Sequence, residues 1–308
     1  MQVGRPCEAD EAGLCWTTMA DEQTRTTTLA SLRAGKKAGR KFSVLTCYDA
    51  ATARLMEAAG VEVLLVGDTA GEVVLGLPST RQVPVEFQLA ITAAVRRGAP
   101  HSFVMADLPY LCRVDDHQTT IQWCRRFQTE TGCDAVKIEV AGQDADLIAA
   151  VHRAGVPVVA HLGLLPQTIE SVQGYRAQGR QAADALRLIE DARRLAEAGA
   201  GMLLLEAVAS EVARQITADT ELPVIGCVSG PHCDGTVVVL HDMIGWGGGH
   251  PPRAVKQYAG LSEVLSEAFA RYVADVQAGQ FPTEQNAIHM KEGEYEKLTA
   301  ALGQVSHS

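Results

Sequence analysis

Four acidic residues stand at the ends of short apolar runs, each in a different part of the chain. They are Asp68 in LLVGDTAG, Asp107 in FVMADLPY, Glu139 in VKIEV and Glu206 in MLLLEAV. His161 closes a fifth run, VVAHLGL. Carboxylates are rarely buried without partners, although a single acid of this kind can be only a helix cap. Four acids on four separate runs instead predict a shared site with a chemical task.

The composition of this set favours a hard divalent cation. Mg²⁺ prefers carboxylate oxygens, whereas Zn²⁺ sites usually draw on clustered cysteine and histidine. Here one histidine accompanies the acids, and the sequence contains no CxxC pair. We therefore expect Mg²⁺ rather than Zn²⁺, at a site that keeps positions open for water and substrate oxygens.

Lys137 adds a second constraint, because it lies two residues before Glu139 on the same apolar run. Side chains two apart on a strand point to the same face. A lysine inside a barrel is costly unless it pairs with an anion. Two partners are open at this point: Glu139, in a structural ion pair, or the carboxylate of a substrate.

The elements that must position these residues alternate between predicted strands and helices. Apolar runs of four to six residues with little alternation are typical of parallel strands covered on both faces. These runs are Phe42–Cys47, Val63–Val66, Ser102–Ala106, Ala135–Ile138, Val156–Ala160, Met202–Leu205, Val224–Cys227 and Val237–Leu240. Amphipathic segments predict helices over Ala50–Ala59, Val85–Arg97, His117–Thr131, Ala145–Arg153, Ala182–Glu197 and Ser210–Thr217.

This order predicts an α/β fold, a closed (β/α)8 TIM barrel whose active site lies at the carboxyl ends of the strands. We expect a short N-terminal helix over Thr26–Arg33 and a C-terminal helical extension over Arg253–Gly279. The link between the seventh and eighth runs, residues 228–236, is short for a crossover helix. An open, doubly wound sheet is therefore the alternative.

Three segments follow from the same pattern. Residues 1–24 are polar and aperiodic and predict a disordered tail. Residues 25–282 hold the predicted barrel, and residues 283–308 form a polar C-terminal arm.

Composition limits the classes of partner. The chain has 308 residues with 27 Lys and Arg against 37 Asp and Glu, a formal charge of −10 at pH 7. Nucleic-acid binding needs a basic surface, so this balance argues against a nucleic-acid partner. No apolar run approaches the ~18 residues of a membrane span. Scattered cysteines without a secretory leader are typical of reduced thiols in a cytoplasmic protein.

The motifs GDTAG, ADLPY, VKIE, HLGLLPQ and GYRAQGR occur in this order and spacing. Together they resemble the ketopantoate hydroxymethyltransferase family of the phosphoenolpyruvate/pyruvate superfamily, and the resemblance runs from about Thr26 to about Pro282. It implies a (β/α)8-barrel enzyme of pantothenate biosynthesis. Such an enzyme transfers a hydroxymethyl group from 5,10-methylenetetrahydrofolate to 2-oxoisovalerate and uses Mg²⁺.

The resemblance also implies roles for individual residues. It places the Mg²⁺ ligands at Asp68, Asp107 and Glu139. It places substrate contacts at Asp68, Thr69, Asp107 and Lys137. A 2-oxo acid can chelate a divalent ion through its carboxylate and keto oxygen, and the ion then stabilises an enolate.

The remaining roles concern proton movement and assembly. The resemblance makes Glu206 the proton acceptor, and a strand-end glutamate in a closed site is a reasonable base for the C3 proton. His161 is expected to bind substrate or hydrogen-bond within the same pocket. By analogy with bacterial members of the family, which assemble into large rings, we expect a homo-oligomer, with a decamer as one form.

The sequence departs from the family pattern around the pocket. Thr69 replaces a serine, and Val228 replaces the middle glycine of the family loop GIGAG. Further changes lie at Pro78, Leu89–Ile91, Val140–Ala141 and Pro231. They surround the acyl-chain and folate contacts more than the metal.

These departures leave two alternatives open. One is a paralogue that hydroxymethylates a different 2-oxo acid. The other is a folate-independent, Mg²⁺-dependent lyase or mutase of the same superfamily, although no KKCGH-type segment with a catalytic cysteine is found. A non-catalytic binding or scaffold barrel is disfavoured because every acid of the metal set is retained.

Overall fold

Eight parallel strands form a closed barrel in the computed structural model, which describes residues 26–113, 116–168, 176–247 and 254–305. The strands are β1 Phe42–Thr46, β2 Val63–Val66, β3 Phe103–Asp107, β4 Ala135–Glu139, β5 Val158–Gly163, β6 Met202–Glu206, β7 Val224–Cys227 and β8 Gly235–Val238. Each pairs with the next in chain order, and β8 returns to pair with β1. The predicted barrel is confirmed, and the open-sheet alternative is wrong.

Helices alternate with these strands. Within the described residues they are α1 Leu29–Lys37, α2 Ala50–Ala58, α3 Ala70–Val73, α4 Val85–Gly98, α5 His117–Thr131, α6 Ala145–Arg153, α7 Ala182–Glu197, α8 Ser210–Asp219, α9 Leu240–Ile244, α10 Leu261–Gln277 and α11 Glu294–Val305. Helices α4 to α7 pack directly on the strands. Helices α5, α6 and α7 have the predicted bounds.

Several element boundaries differ from prediction by a few residues, and those of the first helix and the last strand have a clear structural cause. The first helix begins at Leu29, because Thr28 caps it: Thr28 Oγ1 accepts from the Ser31 N–H, and Ser31 Oγ accepts from the Thr28 N–H. The last strand begins at Gly235, where it pairs with both β1 and β7. Leu240, predicted as strand, instead opens α9.

The barrel interior is built from alternate residues of each strand, as expected for a closed sheet. Its apolar layer consists of Phe42, Val44, Val63, Leu65, Phe103, Met105, Ala135, Val159, Met202, Leu204, Ile225 and Val237. The same alternation continues to the carboxyl ends, so that Asp107 follows Met105 and Glu206 follows Leu204 on the inner face. The fold therefore aims the strand-end residues into one mouth.

Helix α1 covers the opposite end of the barrel. Leu32 is fully buried against the apolar layer, and Leu29 packs beside it. Lys36 Nζ lies 2.9 Å from Oδ2 of Asp234, the residue before β8. Arg33 Nη2 donates to the Gly201 carbonyl, just before β6, at 3.4 Å.

The chain divides into two compact units. The first comprises Met1–Met243 and His250–Lys256, and the second comprises Ile244–Gly249 and Gln257–Ser308. Helix α10 in the second unit begins at Leu261, later than the predicted extension, and no residue in it is buried. The predicted tail at residues 1–24 lies outside the described residues. Among those that are described, no helix combines the length and hydropathy needed to cross a membrane.

Candidate functional site

A buried ion pair joins the ends of β3 and β4. Lys137 Nζ lies 2.6 Å from Asp107 Oδ1, and both side chains are less than a tenth exposed, at 7% and 4%. The two residues are direct partners across the sheet. Glu139, one of the two partners that the sequence left open, is therefore not the ion-pair partner of Lys137. Neighbouring strands are about 4.8 Å apart, closer than the ~6.6 Å between residues i and i+2 of one strand. The predicted contact with a substrate carboxylate stays a prediction.

His161 extends this pair toward β6. Its Nδ1 lies 3.1 Å from Lys137 Nζ. An ammonium group only donates, so Nδ1 accepts and the proton of the neutral ring is on Nε2. Nε2 lies 3.2 Å from Glu206 Oε2. Burial, followed by the charge of Lys137, lowers the pKa of His161, which keeps the ring neutral.

Gln167, in a short turn after β5, links two of the acids. Its backbone N–H donates to Glu139 Oε2 at 3.0 Å, and its side-chain amide donates to Asp68 Oδ2 at 2.9 Å. The same amide donates to the Leu108 carbonyl at 3.1 Å. Sequence reasoning did not single out Gln167, although it lies in the motif HLGLLPQ. That motif was the signal that would have found it.

The end of β2 meets the same group of residues. The Asp68 N–H donates to Asp107 Oδ2 at 2.9 Å. Thr69 Oγ1 lies 2.7 Å from the hydroxyl of Tyr48, a buried residue just after β1 that sequence reasoning also missed. Gly67 permits this approach, because a Cβ there would lie 2.9 Å from Thr69 Oγ1. Like the acids, Tyr48 follows the end of a strand, and this position could have identified it from the sequence.

The electrostatics of the mouth are dominated by an excess of carboxylates. Burial raises the pKa of Glu139 to about 8, against the opposing charge of Lys137. Burial also raises the pKa of Asp107. For Lys137, burial opposes the charged form, but the carboxylates around it outweigh burial and raise its pKa. One lysine faces the three acids Asp68, Asp107 and Glu139, so an added cation would relieve their mutual repulsion.

The donor chemistry of these acids fits a hard cation. Asp107 Oδ1 is buried and makes no hydrogen bond beyond its ion pair with Lys137. Within the part of the chain that the structure describes, however, no three His, Cys, Asp or Glu side chains already form a metal-binding cluster. Gln167 occupies one oxygen each of Asp68 and Glu139. The second oxygen of each carboxylate is left for a cation, and the predicted ligand set stays a prediction.

Comparison with solved structures supports the fold. Phosphoenolpyruvate phosphomutase from Streptomyces platensis subsp. rosaceus superposes with a TM-score of 0.57 at 14% identity, covering 91% of this chain and 98% of that one. A phosphonopyruvate hydrolase solved with oxalate and Mg²⁺ gives 0.55 at 12% identity, covering 91% and 98%. At such identities the likeness concerns the fold alone. The fold and the acidic mouth define a (β/α)8-barrel enzyme.

Sequence comparison defines the family. A family model for ketopantoate hydroxymethyltransferase matches residues 26–284. A 3-methyl-2-oxobutanoate hydroxymethyltransferase from Geobacillus kaustophilus is 44% identical over 263 residues, 85% of this chain and 94% of that protein. One from Hyperthermus butylicus is 41% identical over 281 residues, 91% and 97%. The chain belongs to the ketopantoate hydroxymethyltransferase family, which confirms the family predicted from the motifs.

Proposed function

We propose that this enzyme transfers a hydroxymethyl group from 5,10-methylenetetrahydrofolate to 2-oxoisovalerate and so forms ketopantoate. One observation carries the proposal. In a chain of this family, a continuous line of contacts runs from Asp107 through Lys137 and His161 to Glu206 across four adjacent strand ends. This line joins an acidic mouth suited to a cation with a carboxylate suited to proton removal.

Asp68, Asp107 and Glu139 are the residues that would hold Mg²⁺. When bound, Mg²⁺ supplies Lewis acidity that favours loss of the C3 proton of a chelated 2-oxo acid. Lys137 contacts Asp107 and His161 in the described structure, which leaves one of its three N–H groups for the substrate carboxylate. Thr69 presents its hydroxyl beside Asp68 as a further substrate contact.

Glu206 is the proposed acceptor of the C3 proton. Its side chain is 22% exposed, which makes it more accessible than the other acids of the mouth. His161 Nε2 lies 3.2 Å from this carboxylate, and because the lowered pKa keeps the ring neutral, the ring places an N–H beside it. The enolate carbon then bonds to the methylene carbon of the folate, and water supplies the hydroxyl oxygen. Both C–N bonds of that carbon break, and tetrahydrofolate leaves with its two nitrogens protonated, one proton coming from the water and one from C3.

The comparisons favour this function over a folate-independent lyase or mutase. The curated hydroxymethyltransferases are 41% to 44% identical to this chain, whereas the lyase and mutase structures are 14% to 18% identical. The remaining alternative is a different 2-oxo acid as the natural substrate, and a substrate panel distinguishes it from 2-oxoisovalerate. Val228, 52% exposed beside the mouth, is the departure most relevant to it.

The test is an assay of the purified full chain with Mg²⁺, 5,10-methylenetetrahydrofolate and a panel of 2-oxo acids. We expect 2-oxoisovalerate to give the highest kcat/KM and to exchange its C3 proton with D₂O when Mg²⁺ is present. Exchange without product on adding folate would contradict the transfer step. A higher kcat/KM for another 2-oxo acid would identify the paralogue, and product formation from 2-oxoisovalerate without folate would favour the lyase class.

A homo-oligomer and a cytoplasmic location complete the proposal. Helix α10 carries apolar side chains that are exposed in the single chain: Val264, Phe269, Tyr272, Val273 and Val276. Burying such a face between copies would remove it from water. The six cysteines of the described residues are free thiols, in keeping with a reducing compartment. Light scattering of the purified chain tests the assembly, and a monomer at micromolar concentration would contradict it.

A further inference from the structure

The segment after Glu206 has an unusual backbone conformation. Ala207 has φ +51° and Val228, the residue after β7, has φ +53°. Both values are in the left-handed region, which residues with a Cβ rarely adopt and which suits β-branched residues least. The two positions are joined, because the Ala207 N–H donates to the Cys227 carbonyl at 2.8 Å. Such strain persists only where the surrounding structure holds it.

Ser229 provides that restraint from the turn after β7. Its side chain is buried, at 2% exposure. Its Oγ accepts from the Val208 N–H at 3.1 Å, and its O–H faces two carbonyl acceptors, Leu205 at 2.8 Å and Cys227 at 3.0 Å. Leu205 and Val208 lie on either side of Glu206, so one hydroxyl fixes the chain before and after this residue.

Backbone hydrogen bonds hold the same segment as well. The Glu206 carbonyl accepts from the Leu164 N–H at 2.9 Å, and the Ala207 carbonyl accepts from the Gln178 N–H at 2.8 Å. These bonds fix individual carbonyls toward β5 and its following loop. Among the described residues, Ser229 is the side chain that bonds to the backbone on both sides of Glu206.

We infer that Ser229 is a positioning residue that keeps the Glu206 carboxylate beside His161 Nε2. The inference rests on the proposed function, in which Glu206 removes the C3 proton. Because the Glu206 side chain is 22% exposed, relaxation of the Ala207 turn lets the carboxylate move toward solvent. Losing the Ser229 hydroxyl then slows proton removal. Substrate binding is unchanged, because it depends on residues of β2 to β4.

The experiment measures exchange of the C3 proton of 2-oxoisovalerate in D₂O, with Mg²⁺ and without folate, by proton NMR on the full chain. Ser229→Ala is expected to lower kcat for exchange about 10-fold or more with KM nearly unchanged, because misplacement by ~1 Å can cost about 100-fold. Ser102→Ala is the matched control. Ser102 is also buried, and its Oγ donates to the Val61 carbonyl at 3.1 Å near the amino end of β3. This control is expected to keep the native exchange rate.

A double-mutant cycle separates positioning from general stability. In the Glu206→Gln background, Ser229→Ala is expected to cause no further loss of exchange, whereas an additional 10-fold loss would overturn the inference. Ser229→Thr keeps the hydroxyl and is expected to stay within a few-fold of native. All rates are measured at a temperature below the thermal unfolding midpoint of each variant, which is determined by circular dichroism. A native chain that shows no exchange contradicts the proposed function itself, whereas a native rate in Ser229→Ala contradicts the positioning role alone.

Discussion

The backbone N–H of Asp68 donates to Oδ2 of Asp107 at 2.9 Å, while the other oxygen of the same carboxylate contacts Lys137. Asp107 thus orders the end of β2 and neutralises a buried ammonium group at once. A residue with both tasks affects folding as well as chemistry when it is replaced. This double role shapes the first prediction.

Replacing Asp107 should abolish Mg²⁺-dependent turnover and also destabilise the protein. In Asp107→Ala, Lys137 keeps its charge in a buried position without its partner, and such losses cost about 3–5 kcal/mol. Asp107→Asn retains the shape and should be less unstable. Chemical denaturation and Mg²⁺-dependent exchange are the measurements. Normal activity and metal affinity in Asp107→Ala would remove Asp107 from the ligand set.

Lys137→Ala should mainly raise KM for the 2-oxo acid, because it removes the donor proposed for the substrate carboxylate. Removing a metal ligand should instead lower kcat. Lys37→Ala is the control, since Lys37 is 68% exposed at the end of α1. If KM stays the same in Lys137→Ala, the lysine serves only as the structural partner of Asp107.

Glu206→Gln keeps the shape of the side chain and removes the base. Loss of a general base typically costs about 10²–10⁴-fold in rate, so turnover should fall by that range with Mg²⁺ and 2-oxo acid binding nearly unchanged. Glu190→Gln, on the solvent side of α7, should be neutral. Near-normal turnover in Glu206→Gln would transfer proton removal to His161 or a bound water.

Gln167→Ala should weaken Mg²⁺ binding about 10- to 100-fold, the usual cost of losing a residue that orients metal ligands. Its two donors hold Glu139 and Asp68 toward each other in the described structure. Isothermal titration with Mg²⁺ alone measures the effect without substrate. Gln215→Ala on α8 is the control, because the Gln215 side chain donates to the exposed Asp219, away from the mouth. Unchanged Mg²⁺ affinity in Gln167→Ala would contradict the orienting role.

Gly163→Ala tests how closely β5 must approach β6. Gly163 has φ +96°, and a Cβ there would collide with the Glu206 carbonyl. The free energy of unfolding should fall by more than the ~1–3 kcal/mol of backbone strain alone. Gly155→Ala isolates that strain, since Gly155 has φ +83° with open space around it. Equal losses in the two variants would show that the contact with Glu206 is unimportant.

The sequence predicted the barrel and its acidic mouth because both follow from local patterns. Apolar runs define strands, and residues at their carboxyl ends must converge when the sheet closes. The partner of Lys137 could not be predicted, because it depends on the register between β3 and β4. That register aligns Asp107 with Lys137 and is set by packing of the whole barrel.

The site also contains contacts that no single strand reveals. Gln167 acts through a turn that places one residue against two carboxylates from different strands. The positive φ angles of Ala207 and Val228 could not be predicted either, since neither residue type is typical of a positive φ. Val228 was noted as a departure from the family loop, and its strained backbone shows why a glycine suits that position.

Helix α1 has a consequence for the order of events in the proposed reaction. With Leu32 buried against the apolar layer and Lys36 bound to Asp234, the amino end of the barrel is closed. Both reactants must then approach through the mouth above the strand ends. We propose that the 2-oxo acid, with its carboxylate on buried Lys137, lies deeper than the folate that delivers the carbon. It must enter before the folate and leave after it, so the kinetics should be sequential and ordered, with tetrahydrofolate released ahead of the hydroxymethylated acid.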